Sequence, residues 1–273
     1  MNKTSNKVKL IVFDVDGTLV DDDQVLSENT ISVIHCVQDQ GIPVSLATGK
    51  IFPSVENLIK LLDVKVPIIL ANGAIIQRPD KEIIFGKFLC SSVLEEITQS
   101  DHNFKSDLAL FTPENIYVEK ETFNTDHIKC IFKEKIEAVG QWSAVRDYFS
   151  EVCKAIWINR LNNPMLEQLT EYLRKTHDGK VSLSTGSHDS IEAMPVGVSK
   201  QTGLINLVEY LHIPMDSVMV FGDQLNDYGM MDIAGIAVAV GNAIDIVKNI
   251  SDHVIGTNND EGPAKFLCEY FSL

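Results

Sequence analysis

Two aspartates, Asp14 and Asp16, end the apolar run Val8-Lys9-Leu10-Ile11-Val12-Phe13 and are followed by Gly17-Thr18-Leu19. Carboxylates can attack as nucleophiles, hold a hard cation or move protons. Set one residue apart at a strand tip, one can attack or bind metal while the other handles a proton. Four further groups offer complementary chemistry: Thr48-Gly49-Lys50, Asn72-Gly73, Lys200, and Asp223 with Asn226 and Asp227. Carboxylates gathered in one cleft repel and must protonate or share a cation. An all-oxygen site with few protein carboxylates suits Mg²⁺, which keeps several waters. The Thr48 hydroxyl, the Gly49 and Asn226 amides and the Lys200 ammonium are phosphate ligands. A metal and an anion cradle beside a strand-end carboxylate imply phosphoryl transfer to that carboxylate. Thr48-Gly49-Lys50 is not a Walker loop, because the upstream glycine is missing.

These groups need strands to present them. Val8–Phe13 reads as a buried parallel strand. Ser27 caps a helix whose Ile31, Ile34 and Val37 recur at helical spacing, and Gly41 ends it. Ile42–Ala47 and Pro67–Leu70 are the next strands, with a helix from about Pro53 to Leu62 between them. This alternation predicts an α/β fold with a doubly wound parallel sheet, in which ligands sit beyond the carboxyl ends of the strands. The rhythm then changes. Ser92-x-x-Glu95 suggests a capping box, Leu108–Val118 a hairpin bent at Pro113-Glu114-Asn115, and Pro164–Lys175 a helix among further strand-like runs. The spacing predicts a core of residues 1–81 and 190–273 with an inserted α+β domain of residues 82–189. After it, Ser199 caps a helix to about Leu211, Ser217–Phe221 is a strand, Ile236–Val240 another, and Gly262-Pro263 opens a last helix.

The 273 residues carry a formal net charge of −15, which repels nucleic acid and anionic membrane surfaces. An anionic substrate then needs a local positive site, supplied by a metal and a few lysines. The short polar N-terminus is no secretory signal, and no run approaches the ~18 apolar residues of a membrane span. Five scattered cysteines without a Cys-x-x-Cys read as reduced thiols of a cytoplasmic protein, and the scattered histidines argue against zinc.

Taken together, the motifs resemble those of the haloacid dehalogenase superfamily. Asp14-Val15-Asp16-Gly17-Thr18-Leu19 is similar to its first motif, Thr48 to the second, Lys200 to the third and Gly222–Asp227 to the fourth. Leu46–Gly49, Ala71–Ala74, Val198–Lys200 and Val240–Ala243 narrow the resemblance to the Cof-type subfamily, and the insert resembles its type IIB cap by position and size. The resemblance implies a Mg²⁺-dependent phosphatase. It makes Asp14 the nucleophile. It makes Asp16 the acid that protonates the leaving oxygen, then the base for water, with its backbone carbonyl on Mg²⁺. It gives Asp223 to the metal, Asp227 to the metal or its waters, and Thr48, Gly49, Lys200 and Asn226 to the phosphoryl group. Asn72 is implied near the substrate. Three residues depart from the pattern: Lys50 where arginine is commoner, Gln224 in place of a small residue, and Pro263 in place of an aliphatic one. Gln224 can narrow the pocket or hydrogen-bond substrate.

The expected activity is hydrolysis of small phosphorylated metabolites through an aspartyl-phosphate. Sugar phosphates are the first substrate class and phosphorylated cofactors such as flavin mononucleotide or pyridoxal phosphate the second. The alternatives are a phosphomutase or phosphotransferase, and a non-catalytic phosphometabolite sensor on the same fold. A monomer or small homo-oligomer is expected. The insert is expected to set specificity. Ser184–Asp189, with His188, reads either as the rim of an entrance or as an ordinary surface turn.

Overall fold

The computed structural model describes residues 8–100, 104, 106–132, 135–161, 163–187 and 189–273. His188 lies outside them. In chain order the elements are β1 (Leu10–Phe13), α1 (Glu28–Asp39), β2 (Val44–Leu46), α2 (Phe52–Leu61), β3 (Ile68–Leu70), β4 (Ile75–Gln77) and β5 (Ile83–Gly86). There follow α3 (Ser91–Ser100), β6 (Asp107–Phe111), β7 (Ile116–Val118), α4 (Phe123–Phe132), β8 (Ile136–Ala138), β9 (Lys154–Ile158), α5 (Asn163–Thr176), β10 (Val181–Ser187) and β11 (Ser190–Pro195). The chain ends with α6 (Lys200–Leu211), β12 (Val218–Gly222), α7 (Leu225–Ile233), β13 (Ile236–Ala239), α8 (Asp245–Lys248), β14 (His253–Val254) and α9 (Gly262–Phe271).

One compact unit comprises residues 8–49, 55–85 and 199–273, the other residues 50–54 and 86–198. The core unit is built on a five-stranded sheet of order β14-β13-β12-β1-β2 with every pair parallel. Its central strands are apolar throughout because helices cover both faces. Leu10, Val12, Val218 and Val220 pack against Leu204 and Leu207 of α6 and Met230 and Met231 of α7. From the other face Phe13 stacks on Phe221 at 4.5 Å between ring centroids, and Phe221 meets Phe266 of α9 edge-on at 5.9 Å.

β3 joins this sheet by a single parallel bridge between Ala47 and Ile69, then pairs antiparallel with β4 in a small sheet of order β3-β4-β5. Short apolar runs carry no sign of strand direction, so the sequence did not reveal this turn back. The helix ends follow local chemistry. The Ser27 side chain accepts from Thr30 N at the start of α1, Ser199 and Thr202 form a capping box on α6, and Pro263 lies in the first turn of α9.

The second unit is a six-stranded sheet of order β10-β11-β9-β6-β7-β8, antiparallel except for β7 with β8. Alternate residues of its strands, Leu108, Leu110, Ala155, Trp157, Ile191 and Ala193, share a core with Val93, Leu94 and Ile97 of α3 and Leu166, Leu169 and Leu173 of α5. β11 crosses residue 190 and belongs to this sheet, through pairs with β9 and β10, so the unit runs on to residue 198. The five cysteines are all free thiols. No helix among the described residues is long and apolar enough to cross a membrane.

Candidate active site

β1 delivers Asp14 to the carboxyl edge of the core sheet, where the backbone leaves the strand in a wide turn closed by Val20 N donating to Val15 O at 3.1 Å. Gly17 makes that turn possible. Its φ is +75°, and a Cβ there would stand 2.7 Å from Asp223 Oδ2. β12 delivers Asp223, and the first turn of α7 carries Asn226 and Asp227. α6 begins at Lys200, directly after its Ser199 cap. Gly73, at φ +97°, lets this helix start approach: a Cβ there would lie 2.1 Å from Ser199 O.

The charged centre is buried and tightly paired. Lys200 Nζ donates to Asp14 Oδ1 and to Asp227 Oδ1, each at 2.6 Å. Asp14, Asp227 and Lys200 are 5%, 0% and 1% exposed, so these ion pairs work in a low dielectric where unpaired charge is costly. Asp227 Oδ2 accepts from the backbone N–H groups of Asp223 and Gln224, both at 3.0 Å. Thr18 Oγ1 donates to Asp223 Oδ1 at 2.8 Å, and Gln224 Nε2 donates to Asp223 Oδ2 at 3.1 Å.

Burial holds the Asp14 carboxyl well above the usual aspartate range. The Asp227 charge adds to that rise and Lys200 opposes it. Burial also raises Asp223, against the hydrogen bond from Thr18. Burial alone would lower Lys200, but Asp14 and Asp227 outweigh it and keep the ammonium charged.

One oxygen from each of Asp14, Asp223 and Asp227 lies within 4.8 Å of the others. Three buried carboxylates against one ammonium leave excess negative charge, and hard oxygen donors in that arrangement fit a divalent cation of the Mg²⁺ type. The fit is best for Asp14 and Asp223. Asp227 already spends both oxygens on Lys200 and on two backbone amides.

A second, less charged group adjoins the first. Thr48 follows β2 and is 1% exposed, and Asn72 N donates to Thr48 O at 2.9 Å. Asn226 Nδ2 donates to Asn72 Oδ1 at 3.2 Å. A Cβ on Gly49 would lie 3.2 Å from Asn72 Oδ1, so Gly49 keeps its backbone open beside that amide. Ala71 and Asn72 both adopt left-handed backbone, φ +46° and +53°, a strained turn that holds Asn72 at the tip of β3.

Every residue proposed from the sequence therefore stands at a carboxyl end of β1, β2, β3 or β12, or in the first turn of α6 or α7. Asp16 is half-buried on the turn after β1. Two participants escaped sequence reasoning. Thr18 lay in plain view inside the Asp-Gly-Thr run. Asn242 was noted only as part of a resemblance; its Nδ2 donates to Gly17 O at 2.6 Å.

The family model of the haloacid dehalogenase-like hydrolases matches residues 11–267. The chain belongs to that family. Among haloacid dehalogenase-like relatives, the 5-amino-6-(5-phospho-D-ribitylamino)uracil phosphatase YitU of Bacillus subtilis is 29% identical over 274 residues, covering 98% of this chain and 99% of its own. The HMP-PP phosphatase of Cronobacter sakazakii is 24% identical over 266 residues, with 96% and 95% covered. In solved structures, a haloacid dehalogenase-like hydrolase from Bacteroides thetaiotaomicron superposes with a TM-score of 0.91 at 24% identity, over 97% of this chain and 100% of that one. A Thermotoga maritima crystal structure superposes with a TM-score of 0.86 at 27% identity, over 96% and 97%. The chain is an enzyme, a phosphoric monoester hydrolase of the haloacid dehalogenase type.

Proposed function

We propose that this enzyme is a Mg²⁺-dependent phosphatase of small phosphorylated metabolites, in which Asp14 accepts the phosphoryl group. The observation that carries this reading is Asp14 itself. It is a buried strand-end carboxylate with Oδ1 held 2.6 Å from Lys200 Nζ and with Asp223 at hand to share a cation. Asp14, Asp223 and the backbone carbonyl of Asp16 would hold Mg²⁺. The bound ion would neutralise charge on the phosphoryl oxygens and let Asp14 stay ionised.

The chain's own residues do the rest. An Asp14 oxygen forms a bond to phosphorus as the bond to the leaving oxygen breaks, and Asp16 gives that oxygen its proton. Asp16, now a carboxylate, takes a proton from water as the water oxygen attacks phosphorus, which releases phosphate and restores Asp14. Lys200 keeps the Asp14 oxygen aimed and offsets the charge on the transferring group. Asp227 acts through others: it fixes the Lys200 ammonium and, through two amides, the loop that carries Asp223. Thr48, Gly49 and Asn226 supply donors for the phosphoryl oxygens, and Asn72 orients Asn226. Gln224 steadies Asp223 and remains available to substrate.

Phosphate esters on sugar-like, polyhydroxylated chains are the favoured substrates. Support comes from the phosphoribityl group in the name of the Bacillus subtilis relative. The insert of residues 86–198 is proposed as the cap that selects among them, since no residue given a chemical role lies in it. The work is proposed to take place in the cytoplasm.

The test is a phosphate-release screen of sugar phosphates, polyol phosphates and phosphorylated cofactors, with Mg²⁺ and with excess chelator. Turnover of a sugar or polyol phosphate that stops with chelator and returns with Mg²⁺ is expected. Phosphate transfer to an added alcohol without hydrolysis would point to a phosphotransferase. Binding without turnover would point to a sensor.

A further inference from the structure

The turn that carries Asp16 and Thr18 has a mechanical problem. Its pivot is Gly17, and a glycine with φ +75° visits other conformations at little steric cost. Rotation of the Gly17–Thr18 peptide would move Thr18 off Asp223 Oδ1 and swing Asp16, on the other side of the pivot. The bond that closes the turn, from Val20 N to Val15 O, does not involve that peptide.

A restraint on that peptide comes from outside the turn. Asn242, in the loop after β13, donates from Nδ2 to Gly17 O at 2.6 Å. Its own orientation is set by Asn258 N, which donates to Asn242 Oδ1 at 3.1 Å and so turns the amide nitrogen toward Gly17. Asn258, 5% exposed, also donates from Nδ2 to Val20 O and Asp22 Oδ1, both at 3.1 Å, and so grips the far end of the same turn. The Asn242 loop reaches the other acidic strand end as well, because Ile244 N donates to Asp223 O at 3.0 Å. One loop therefore ties the β1 turn and the β12 turn together.

We propose that Asn242, oriented by Asn258, is a positioning residue for phosphoryl transfer. It locks the Gly17 peptide and so keeps Asp16 and Thr18 in register with Asp223. This rests on the phosphatase reading for the role of Asp16, but not for the geometry. Asn242 is exposed at the surface, so substitutions there leave the core packing intact.

The experiment compares the wild type with Asn242→Asp and Asn242→Ala by aryl phosphate hydrolysis at saturating Mg²⁺, by thermal melting, and by amide hydrogen exchange of residues 14–20. Asn242→Asp keeps the size and the acceptor for Asn258 N but loses the donor to Gly17 O. Both variants should lose about tenfold to a hundredfold in kcat with KM little changed, as for other outer-sphere supports. Asn242→Asp should fall at least as far as Asn242→Ala. Melting should be unchanged, and exchange in residues 14–20 should rise in both. An Asn242→Asp variant with wild-type kcat and wild-type exchange would overturn the proposal, because size alone would then suffice. Should the wild type itself release no phosphate, the phosphatase reading falls, and hydrogen exchange still decides for or against the restraint.

Discussion

The two units differ in where buried charge is gathered. In the core it converges: Asp14, Asp223, Asp227, Lys200 and Thr18 form one connected network at a sheet edge. In the insert, Thr122 and Asn124 share Asp107, while the indole nitrogens of Trp142 and Trp157 and both imidazole nitrogens of His177 are buried without a hydrogen-bond partner. The apolar cluster around Leu94, Trp157 and Leu169 of the insert is held by packing. A connected network of charge is poor value as mere stabilisation, since apolar replacements often serve as well. Its presence in the core marks a place where electrostatics serve chemistry.

The largest expected effect is on turnover. Asp14→Asn is nearly isosteric and leaves Lys200 paired with Asp227, so the fold should persist while kcat falls by about three orders of magnitude or more. Steady-state hydrolysis and circular dichroism check both halves.

Next is Lys200→Met, which strands two buried carboxylates. It should abolish activity and lower unfolding free energy by about 3–5 kcal/mol in denaturant titrations. By contrast, Trp157→Phe in the insert removes an unpartnered donor and a little area, and should cost about 1 kcal/mol. Equal losses at the two sites would erase the distinction between the units.

Mg²⁺ should raise the melting temperature of the wild type, because the buried carboxylates repel without it. At a hundred times the dissociation constant the gain is about 2.7 kcal/mol. Asp223→Asn should lose most of that gain.

The smallest effect is a difference in the sign of pH dependence. Burial lowers the His177 value below 6.5, with Glu96 Oε2 at 3.6 Å opposing the shift and Lys180 adding to it. The unfolded state then takes up the proton first, so His177 costs stability as pH falls below about 6.5 and nothing above. In the core, Asp14 and Asp223 sit above the ordinary 3.8, so the native state takes up protons first and their strain eases as pH falls toward those raised values. His177→Phe should flatten the loss of stability between pH 7 and pH 5 by a few degrees in melting temperature, whereas Asp223→Asn should not.

Much of the core was legible from sequence because its signals are local. A β-branched run ending in Asp-x-Asp-Gly names its own strand and turn, and Ser199 announces the start of α6. What escaped depends on residues far apart in the chain. Thr18 and Asp223 meet across 205 positions and Asn242 and Gly17 across 225, and no local pattern encodes such a pairing. Gln224 was expected to narrow the pocket or hydrogen-bond substrate, and nothing in the sequence signalled that its amide also donates to Asp223. In the insert, β8 and the short helical turns of Trp142–Glu151 gave no periodic signal, because three-residue strands and single turns are too short to show one.

The central claim is that Asp14 becomes phosphorylated, and the direct measurement is to trap that adduct. Asp16→Asn slows the base-assisted second step while an aryl leaving group still departs, so the phospho-enzyme should accumulate. Acid quenching after mixing with an aryl phosphate and Mg²⁺, borohydride reduction of the acyl phosphate and peptide mass spectrometry then locate it. The account predicts a burst of aryl alcohol near one equivalent per enzyme and a single modified residue, Asp14. A burst with the phosphoryl group on another side chain, or turnover with no adduct on Asp14, would contradict it.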